Sequence, residues 1–197
     1  MKLVLASKNR HKLVELQTIL GQLGLEVVLE SEVGVDVDVE ETGTTFEENS
    51  LLKAKAVMEA SGMAAIADDS GLEVDALDGA PGVYSARFGG LDSDEARTAL
   101  LLEKLQGVPD EKRTARFVSV VTCVLPDGRI VSARGTCEGV IAHAPAGTNG
   151  FGYGPVFYVP GLGKTFSQAS SEEKNAISHR GNALQKFCEA WKEAGLC

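Results

Sequence analysis

The sequence predicts a protein of the α/β class, in which strands and helices are mixed along one chain, and three observations support this prediction. A short apolar segment, residues 3–6, is followed, after the polar residues 7–12, by leucines that recur at helical spacing. Two long, mostly apolar runs flank Pro126-Asp127-Gly128, which predicts a β-hairpin. Helix-capping patterns precede two further segments. With 197 residues, of which 44% are hydrophobic, the chain is long enough for one domain with its own core.

The chain is predicted to open with a strand, a loop and a helix. Residues 3–6 are the strand, and the leucines of the helix recur until Gly21 and Gly24 end it. Residues 25–29 predict a second strand. The acidic segment 33–41 then leads into a turn.

A second helix and a third strand are predicted next. The capping box Thr45-x-x-Glu48, overlapped by one that starts at Thr44, predicts a helix that runs to about Ser61. Residues 64–67 are an apolar strand that leads into Asp68-Asp69-Ser70-Gly71. We therefore expect two adjacent carboxylates at the end of a strand, on opposite faces of it.

The second half of the chain is predicted to contain a loop, a helix, the hairpin and a final helix. Residues 79–90 hold too many glycines for a regular element. Asp92-x-x-Glu95 is expected to cap the helix that follows. The hairpin strands are residues 116–125 and 129–142, and a glycine-rich stretch, residues 147–163, precedes the closing helix.

Composition argues against several classes of function. The net charge is −9 without any cluster of basic residues, so we expect no binding to nucleic acid. No stretch approaches the roughly 20 apolar residues that cross a bilayer, and the apolar start is too short for a signal peptide. We therefore expect a cytoplasmic protein with reduced thiols. The cysteines show no C-x-x-C spacing, so we also expect no zinc cluster. They are Cys123, Cys137, Cys188 and Cys197.

The segment Ser7-Lys8-Asn9-Arg10-His11-Lys12 lies where the first strand meets the first helix. Free amides and the positive end of the helix dipole attract anions there, and the lysines would strengthen that attraction. Phosphate is therefore a candidate ligand. The segment lacks the glycines of a Walker motif, so an ordinary helix cap with solvated lysines is the alternative.

Carboxylates at two places along the chain are candidates for metal binding or for activation of water. One aspartate of the Asp68-Asp69 pair could hold Mg²⁺ beside phosphate or deprotonate a water molecule, and the alternative is a structural role in a turn. Mg²⁺ usually takes one or two protein carboxylates, so one glutamate of Glu40-Glu41 could be the second ligand, or the pair could simply be part of a solvated acidic loop. Lys53 falls on an otherwise apolar helix face, where it either lines a cleft or extends past the edge of the core.

The C-terminal region is predicted to contain a helix break. If residues 171–191 formed one helix, Arg180 would lie within its apolar face, and a buried unpaired arginine is costly. We therefore expect Ser178 to cap a new helix that presents His179 and Arg180 from its first turn. There they could donate to oxygen atoms of a ligand, or Arg180 could pair with a carboxylate of the protein.

Two aromatic residues, Phe151 and Tyr153, lie between glycines. Their rings could stack on a planar base, although such rings more often pack at the edge of a core.

Taken in order along the chain, these segments resemble the inosine triphosphatase family, the XTP/dITP pyrophosphatases that remove non-canonical purine nucleotides. The resemblance covers almost the whole chain, and so many ordered matches are hard to obtain by chance. The matching segments are Ser7-x-Asn9-x-x-Lys12, Glu41-Thr42-Gly43 with Thr45-Phe46, Glu48-Asn49 with Lys53, Ala67-Asp68-Asp69-Ser70-Gly71, Gly79-Ala80-Pro81-Gly82-Val83-Tyr84-Ser85-Ala86-Arg87, Gly150-Phe151-Gly152-Tyr153, and Lys174 with Ser178-His179-Arg180-Gly181.

The resemblance implies one mixed α/β domain over residues 1–197, with a long curved sheet, two lobes and a central cleft, usually as a homodimer. It implies hydrolysis of ITP, dITP and XTP to the monophosphate and pyrophosphate with Mg²⁺ as cofactor. Asp69 is implied as the base and, together with Glu41, as a metal ligand. The other implied substrate contacts are Ser7, Lys8, Asn9, Lys12, Lys53, Ser70 and Lys174 around the phosphates, and Phe151, Gly152, Tyr153, Gly154, His179 and Arg180 around the purine.

One position departs from the family pattern. The family's loop runs Phe-Gly-Tyr/Trp-Asp-Pro, whereas here Gly154 stands in place of the acid. The departure affects base recognition more than phosphate chemistry. Two alternatives therefore stay open: a pyrophosphatase that selects another base, such as one related to the septum-formation-inhibitor enzymes, and a nucleotide-binding module without catalysis.

Overall fold

The computed structural model describes residues 1–196 and shows a mixed α/β protein, which confirms the predicted fold class. Its sheet has seven strands in the order β2-β1-β3-β4-β5-β6-β7. The strands are β1 (Lys2–Leu5), β2 (Glu26–Leu29), β3 (Ala65–Val74), β4 (Thr114–Val124), β5 (Ile130–Ile141), β6 (Phe157–Val159) and β7 (Lys164–Thr165). The helices are α1 (Arg10–Leu20), α2 (Phe46–Ser61), α3 (Asp94–Lys104), α4 (Ser171–Ile177) and α5 (His179–Glu193). Strand β1 pairs in parallel with β2 and β3, whereas β6 pairs antiparallel with β5 and β7.

The chain divides into two compact units, each with its own core. The first unit contains Met1–Asp69, Ser119–Gly135 and the chain from Asn182 onward, and the second contains Ser70–Val118 and Thr136–Gly181. Strands β3, β4 and β5 each contribute residues to both units. The single domain with a central cleft that the resemblance implies stays a prediction.

The core of the first unit follows from the alternation of side chains along β1 and β3. Leu5 and Ile66 pack on one face with apolar residues of α1 and α5. Val4 and Ala65 pack on the opposite face with Val57 of α2. Successive side chains of β3 therefore alternate between the face covered by α1 and the face covered by α2.

The core of the second unit is rich in aromatic rings. The ring of Phe117 in β4 lies with its centroid 4.5 Å from that of Phe157 and 5.3 Å from that of Phe166. Leu72 of β3 and Leu101 of α3 are fully buried in the same cluster. The contacts of Phe157 and Phe166 attach the chain on either side of residues 160–163 to strand β4.

Several predicted boundaries are confirmed. Helix α2 begins with the predicted capping box, in which the Thr45 hydroxyl accepts from the Glu48 amide at 3.1 Å and the Glu48 carboxylate accepts from the Thr45 amide at 3.3 Å. Gly62 ends that helix with φ +67°. The predicted break falls at Ser178, whose hydroxyl accepts from the Gly181 amide at 2.9 Å. The hairpin of β4 and β5 is also present as predicted.

Other predicted boundaries are wrong. Ser93, and not Asp92, caps α3 by accepting from the Ala96 amide at 3.1 Å. Strand β3 continues to Val74 instead of ending at the aspartates, because the apolar alternation resumes after them and buries the side chains that follow. The stretch predicted to be a loop contains a 3₁₀ segment, Gly82–Gly90, with a kink inside it.

The thiols of the described residues are buried or half-buried. Neither Cys123 nor Cys137 nor Cys188 forms a disulfide within residues 1–196, and Cys197 lies outside the described residues. Burial raises the pKa of Cys123 to about 12, which keeps this thiol protonated and unreactive. In the same residues no helix has the length and apolar character needed to span a membrane.

Candidate active site

Alternation along β3 directs the two adjacent aspartates to opposite faces of the strand. Asp68 lies on the face covered by α1, and Asp69 lies on the face covered by α2. The Asp68 side chain is 0% exposed and that of Asp69 is 10% exposed, so both carboxylates need partners. Ser70 follows in the strand, is half-buried and begins the second unit.

Lys53 of α2 joins two of the predicted carboxylates. Its ammonium group lies 2.7 Å from Asp69 Oδ1 and 3.1 Å from Glu41 Oε1, and it donates to the backbone oxygen of Asp68 at 3.1 Å. An ammonium group has three hydrogens, and these three acceptors can use all of them. Lys53 therefore holds Glu41 and Asp69 toward one point.

Lys12 of α1 meets the other aspartate. Its ammonium group lies 3.1 Å from Asp68 Oδ2 and donates to the backbone oxygen of Asp68 at 3.4 Å. The hydroxyl of Ser119 in β4 donates to Asp68 Oδ1 at 2.6 Å. Two lysines thus converge on one strand position, and we call Lys12, Glu41, Lys53, Asp68 and Asp69 the carboxylate–lysine cluster.

The segment before α1 is shaped by Asn9. The side-chain oxygen of Asn9 caps the helix by accepting from the amides of His11 at 2.9 Å and Lys12 at 3.3 Å. The Asn9 amide donates to the Ser7 hydroxyl at 3.1 Å. The amides of Asn9, His11 and Lys12 therefore already have acceptors within the protein, and the expectation of free amides at this helix start is wrong for these three. An anion bound here would meet side chains first.

Lys8 and Ser7 line a cavity of about 300 Å³ that Lys53 also lines. The Lys8 ammonium group is mostly exposed and lies 2.6 Å from an oxygen of Asp36, which also lies in the first unit. The hydrogen bond that Lys8 donates to the Asp36 carboxylate raises the pKa of Lys8. An exposed pair of this kind is weak, so Lys8 can exchange Asp36 for a phosphate oxygen.

Burial and charge set the protonation of the cluster. Burial raises the pKa of the Asp69 carboxyl, and the neighbouring ammonium group of Lys53 offsets this in part. Burial lowers the pKa of Lys53, but the carboxylates of Asp69 and Glu41 outweigh it, so the pKa of Lys53 is raised. Lys53 therefore stays charged, while Asp69 gains basicity that suits a group that accepts a proton.

The donor set of the cluster fits a hard divalent cation. Glu41 and Asp69 present carboxylate oxygens to one positive centre, Lys53, which is the arrangement that a small cation shared by both would need. Within residues 1–196 no group of three or more histidine, cysteine or acidic side chains could hold a metal by itself. Mg²⁺ commonly takes one or two carboxylates and completes its shell with water and phosphate, so two carboxylates suffice.

The glycine-rich loop of the second unit, residues 147–154, is held by its backbone and by one aromatic ring. The Gly152 amide donates to Asp94 Oδ2 at 2.8 Å, and the Tyr153 hydroxyl donates to the backbone oxygen of Ser85 at 2.7 Å. The Tyr153 ring is buried in the core, and burial raises the pKa of its hydroxyl to about 12. Tyr153 is therefore a core side chain here, whereas Phe151 is 82% exposed and can stack on a ligand.

Gly154, the position that departs from the family pattern, lies against Ser167. A Cβ placed on Gly154 would lie 2.8 Å from Ser167 Oγ, which is closer than normal contact. Ser167 is buried, and its hydroxyl has no hydrogen-bond partner among the described residues. A side chain at position 154 would therefore require Ser167 to move.

The last three predicted positions lie in α4 and α5. Lys174 lies beside the glycine-rich loop, with its nitrogen 3.1 Å from where a Cβ on Gly150 would be. The His179 ring stacks on Phe117 with the ring centroids 5.1 Å apart. Arg180 is half-buried at the start of α5, as its place after the Ser178 cap predicts.

Two residues that sequence reasoning missed hold predicted positions in place. Ser119 bonds to Asp68, 51 positions away in the chain, and Asp94 bonds to Gly152, 58 positions away. No local pattern indicates partners so distant. The one signal available is that Ser119 interrupts an apolar run in β4.

The fold and the cluster together define a class of mixed α/β protein with lysines and carboxylates suited to a metal-bound polyphosphate. Comparison with known proteins narrows this class. The sequence profile of the Ham1 family matches residues 3–190, and the chain belongs to that family. The resemblance inferred from the sequence is confirmed.

Relatives of known name and structure cover nearly the whole chain. The dITP/XTP pyrophosphatase of Exiguobacterium sibiricum is 52% identical over 188 residues, which are 95% of each chain. The dITP/XTP pyrophosphatase of Yersinia pestis is 51% identical over 196 residues, which are 98% of this chain and 99% of the relative. The solved structure of the Staphylococcus aureus Ham1 protein aligns with a TM-score of 0.90 at 46% identity, over 99% of this chain and 100% of that one.

Proposed function

We propose that the protein is a nucleoside triphosphate pyrophosphatase that hydrolyses dITP, XTP and ITP to the monophosphate and pyrophosphate. The carboxylate–lysine cluster is the observation that carries the proposal, because it combines positive charge for a polyphosphate with a buried carboxylate for water activation. Relatives about half identical over almost their full length bear the name dITP/XTP pyrophosphatase, which supports the same activity.

The lysines neutralise the triphosphate. Two hydrogens of the Lys12 ammonium group are directed at Asp68, which leaves the third for a phosphate oxygen. Lys8 and Ser7 extend the polar surface along the cavity. Phosphoryl transfer depends mostly on positioning and charge stabilisation, so this surface and the cluster supply what the reaction needs without a covalent nucleophile.

Asp69 acts as the base. Its carboxylate accepts a proton from a water molecule while the water oxygen attacks the α-phosphorus, and the bond from that phosphorus to the pyrophosphate oxygen breaks. Lys53, 2.7 Å away, fixes the orientation of the carboxylate. The raised pKa of Asp69 favours the transfer, since a base with a pKa nearer the working pH accepts a proton more readily.

Glu41 and Asp69 would hold Mg²⁺. When bound, the ion supplies positive charge at the phosphate oxygens as charge develops on them. Lys53 contacts one oxygen of each carboxylate, Glu41 Oε1 and Asp69 Oδ1, and would keep both groups directed at the same point.

Base selection is proposed for residues of the second unit. Phe151 stacks on the purine, and His179 and Arg180 donate to its 6-oxygen. Adenine carries an amino group at that position and would leave these donors unpaired, a mismatch that can reduce kcat/KM by a factor of roughly 10⁴. The selection against guanine must use a different contact.

A triphosphate panel with product analysis tests the proposal. We expect rapid release of pyrophosphate from dITP, ITP and XTP with Mg²⁺, slow release from ATP and GTP, and loss of activity when the metal is chelated. Orthophosphate as the product would contradict the reaction. Faster turnover of a pyrimidine triphosphate would favour a related pyrophosphatase, and binding without release would favour a non-catalytic module.

We further propose that the protein works as a homodimer, as the family resemblance implies, and that it works in the cytoplasm. Light scattering of the purified protein tests the dimer, and a single species of monomer mass at working concentration would contradict it.

A further inference from the structure

We infer that Ser119 is a positioning residue for phosphate binding, because it fixes Asp68, which in turn holds the ammonium group of Lys12. The inference rests on the proposed function, in which Lys12 binds the triphosphate. It concerns a hydroxyl that the proposed mechanism does not use.

The contacts form a chain from a rigid strand to a flexible side chain. Ser119 is 0% exposed in β4 and donates to Asp68 Oδ1 at 2.6 Å, while Asp68 Oδ2 lies 3.1 Å from the Lys12 nitrogen. One oxygen of the carboxylate is thus assigned to Ser119 and the other to Lys12. The hydroxyl therefore restricts the rotation of the carboxylate about its Cβ–Cγ bond.

The orientation of Asp68 matters because Lys12 has little else to fix it. A lysine side chain has four rotatable bonds and loses much conformational freedom when it is held in one place. Both described acceptors of its ammonium group, an oxygen of the carboxylate and the backbone oxygen, belong to Asp68. If the carboxylate could turn, the lysine would sample several positions and would bind phosphate less well.

A serine is unexpected at this place in the chain. It lies in the apolar run Phe117-Val118-Ser119-Val120-Val121, where a buried polar group is unfavourable without a partner. Its donation to a charged, fully buried carboxylate satisfies both groups.

The same strand offers a matched control. Thr122 is buried, and its hydroxyl lies 2.7 Å from Ser50 Oγ and 2.8 Å from Ser132 Oγ. Thr122→Val removes a buried hydroxyl of β4 at nearly constant shape and touches neither Asp68 nor Lys12 in any described contact. It reports the effect of losing buried hydrogen bonds of β4 that lie outside the contacts of Asp68 and Lys12.

The experiment measures kcat, KM for dITP and thermal unfolding for wild type, Ser119→Ala, Ser119→Cys and Thr122→Val. We expect Ser119→Ala to raise KM roughly fivefold with kcat changed by less than about twofold, since a hydrogen bond to a charged group is lost. Ser119→Cys, with a weaker donor of similar size, should fall between wild type and Ser119→Ala. Thr122→Val should lower Tm without a change in KM. An unchanged KM in Ser119→Ala, or an equal rise in Thr122→Val, would overturn the inference.

The Lys12→Met variant tests whether Ser119 acts on phosphate binding through Lys12. In Lys12→Met, the further change Ser119→Ala should leave KM unaltered, because the group that Ser119 positions is gone. A full additional rise in KM there would also overturn the inference.

Inorganic tripolyphosphate separates this inference from the proposed function. Its affinity, measured by calorimetry, should fall in Ser119→Ala and not in Thr122→Val, whether or not the protein hydrolyses nucleotides. A wild-type protein that releases no pyrophosphate from any triphosphate would refute the function, while the tripolyphosphate affinities would still decide the role of Ser119.

Discussion

The carboxylate–lysine cluster of the first unit and the glycine-rich loop of the second are built in contrasting ways. The cluster is assembled by charged side chains that are mostly buried and tied to one another at 2.7 to 3.1 Å. The loop is held by the Gly152 amide and by the buried ring of Tyr153, and it exposes the ring of Phe151. Rigid charged groups suit the binding of a triphosphate, which is the same in every nucleoside triphosphate. An exposed ring on a glycine-rich backbone suits the binding of the base, which differs from one nucleotide to another.

The largest expected effect is on the cluster. Asp69→Asn should lower kcat by roughly 10³-fold, because the variant loses the group that accepts the proton. Steady-state pyrophosphate release measures it. Asp75→Asn is the control, since Asp75 is a partly exposed carboxylate paired with Arg116 in the second unit and should keep wild-type turnover. Near-normal kcat in Asp69→Asn would remove Asp69 from the reaction.

The next effect tests the loop. Phe151→Ala should raise KM for dITP roughly tenfold with little change in Tm, because stacking on a base is worth about 1–3 kcal/mol and the ring is not part of the core. Tyr84→Ala removes another exposed aromatic ring and should leave KM unchanged. If the two variants have equal KM, Phe151 does not contact the base.

A smaller effect is expected at the position that departs from the family pattern. Gly154→Asp should lower Tm by about 3 to 6 °C, because the new side chain collides with Ser167. Adding Ser167→Ala should restore most of the loss, since it removes both the collision and an unpaired buried hydroxyl. Scanning calorimetry of the two single variants and the double variant measures this. Additive losses in the double variant would show that Ser167 is not the obstacle.

The smallest effects concern the pH dependence of stability, which should have opposite signs for Asp69 and Asp75. Burial raises the pKa of Asp69, so its contribution to stability is present below its unfolded pKa and is lost as the pH rises through the folded value. Hydrogen bonds from Arg116 and Thr114 lower the pKa of Asp75, so its contribution is present above its unfolded pKa and is lost as the pH falls.

Urea unfolding of the metal-free protein tests these signs. Relative to wild type, Asp69→Asn should lose stability as the pH falls from about 7 to 4, while the loss caused by Asp75→Asn should shrink toward about pH 3. The same direction of change for both variants would contradict the prediction.

Features that depend on neighbours in sequence could be predicted. The capping box at Thr45, the break at Ser178 and the hairpin around Gly128 each follow from residues a few positions apart. The family resemblance followed from ordered short segments in the same way. The resemblance implied that Lys12, Glu41, Asp69 and Arg180 converge on one site. The structure brings the first three together in the first unit, whereas Arg180 belongs to the second unit and its part in the site stays a prediction.

Features that depend on distant partners could not be predicted. The hydrogen bonds of Ser119 with Asp68 and of Asp94 with Gly152 join residues 51 and 58 positions apart in the chain. No sequence pattern near Ser119 or Asp94 indicates its partner. The end of β3 was placed too early because a pair of aspartates is typical of a turn, whereas here lysines and a serine satisfy the carboxylates inside the strand. The free amides expected at the start of α1 could not be predicted correctly, because the Asn9 side chain accepts hydrogen bonds from the amides of His11 and Lys12 and competes with any ligand for them.

The alternation along β3 also limits how this protein can change its length during evolution. A single inserted or deleted residue between Ala65 and Asp68 would rotate every later side chain to the other face, and Asp68 and Asp69 would exchange their helices. Lys53 would then meet the aspartate that Lys12 now holds. Insertions are therefore expected to accumulate in connecting segments, and this strand should vary by substitution alone.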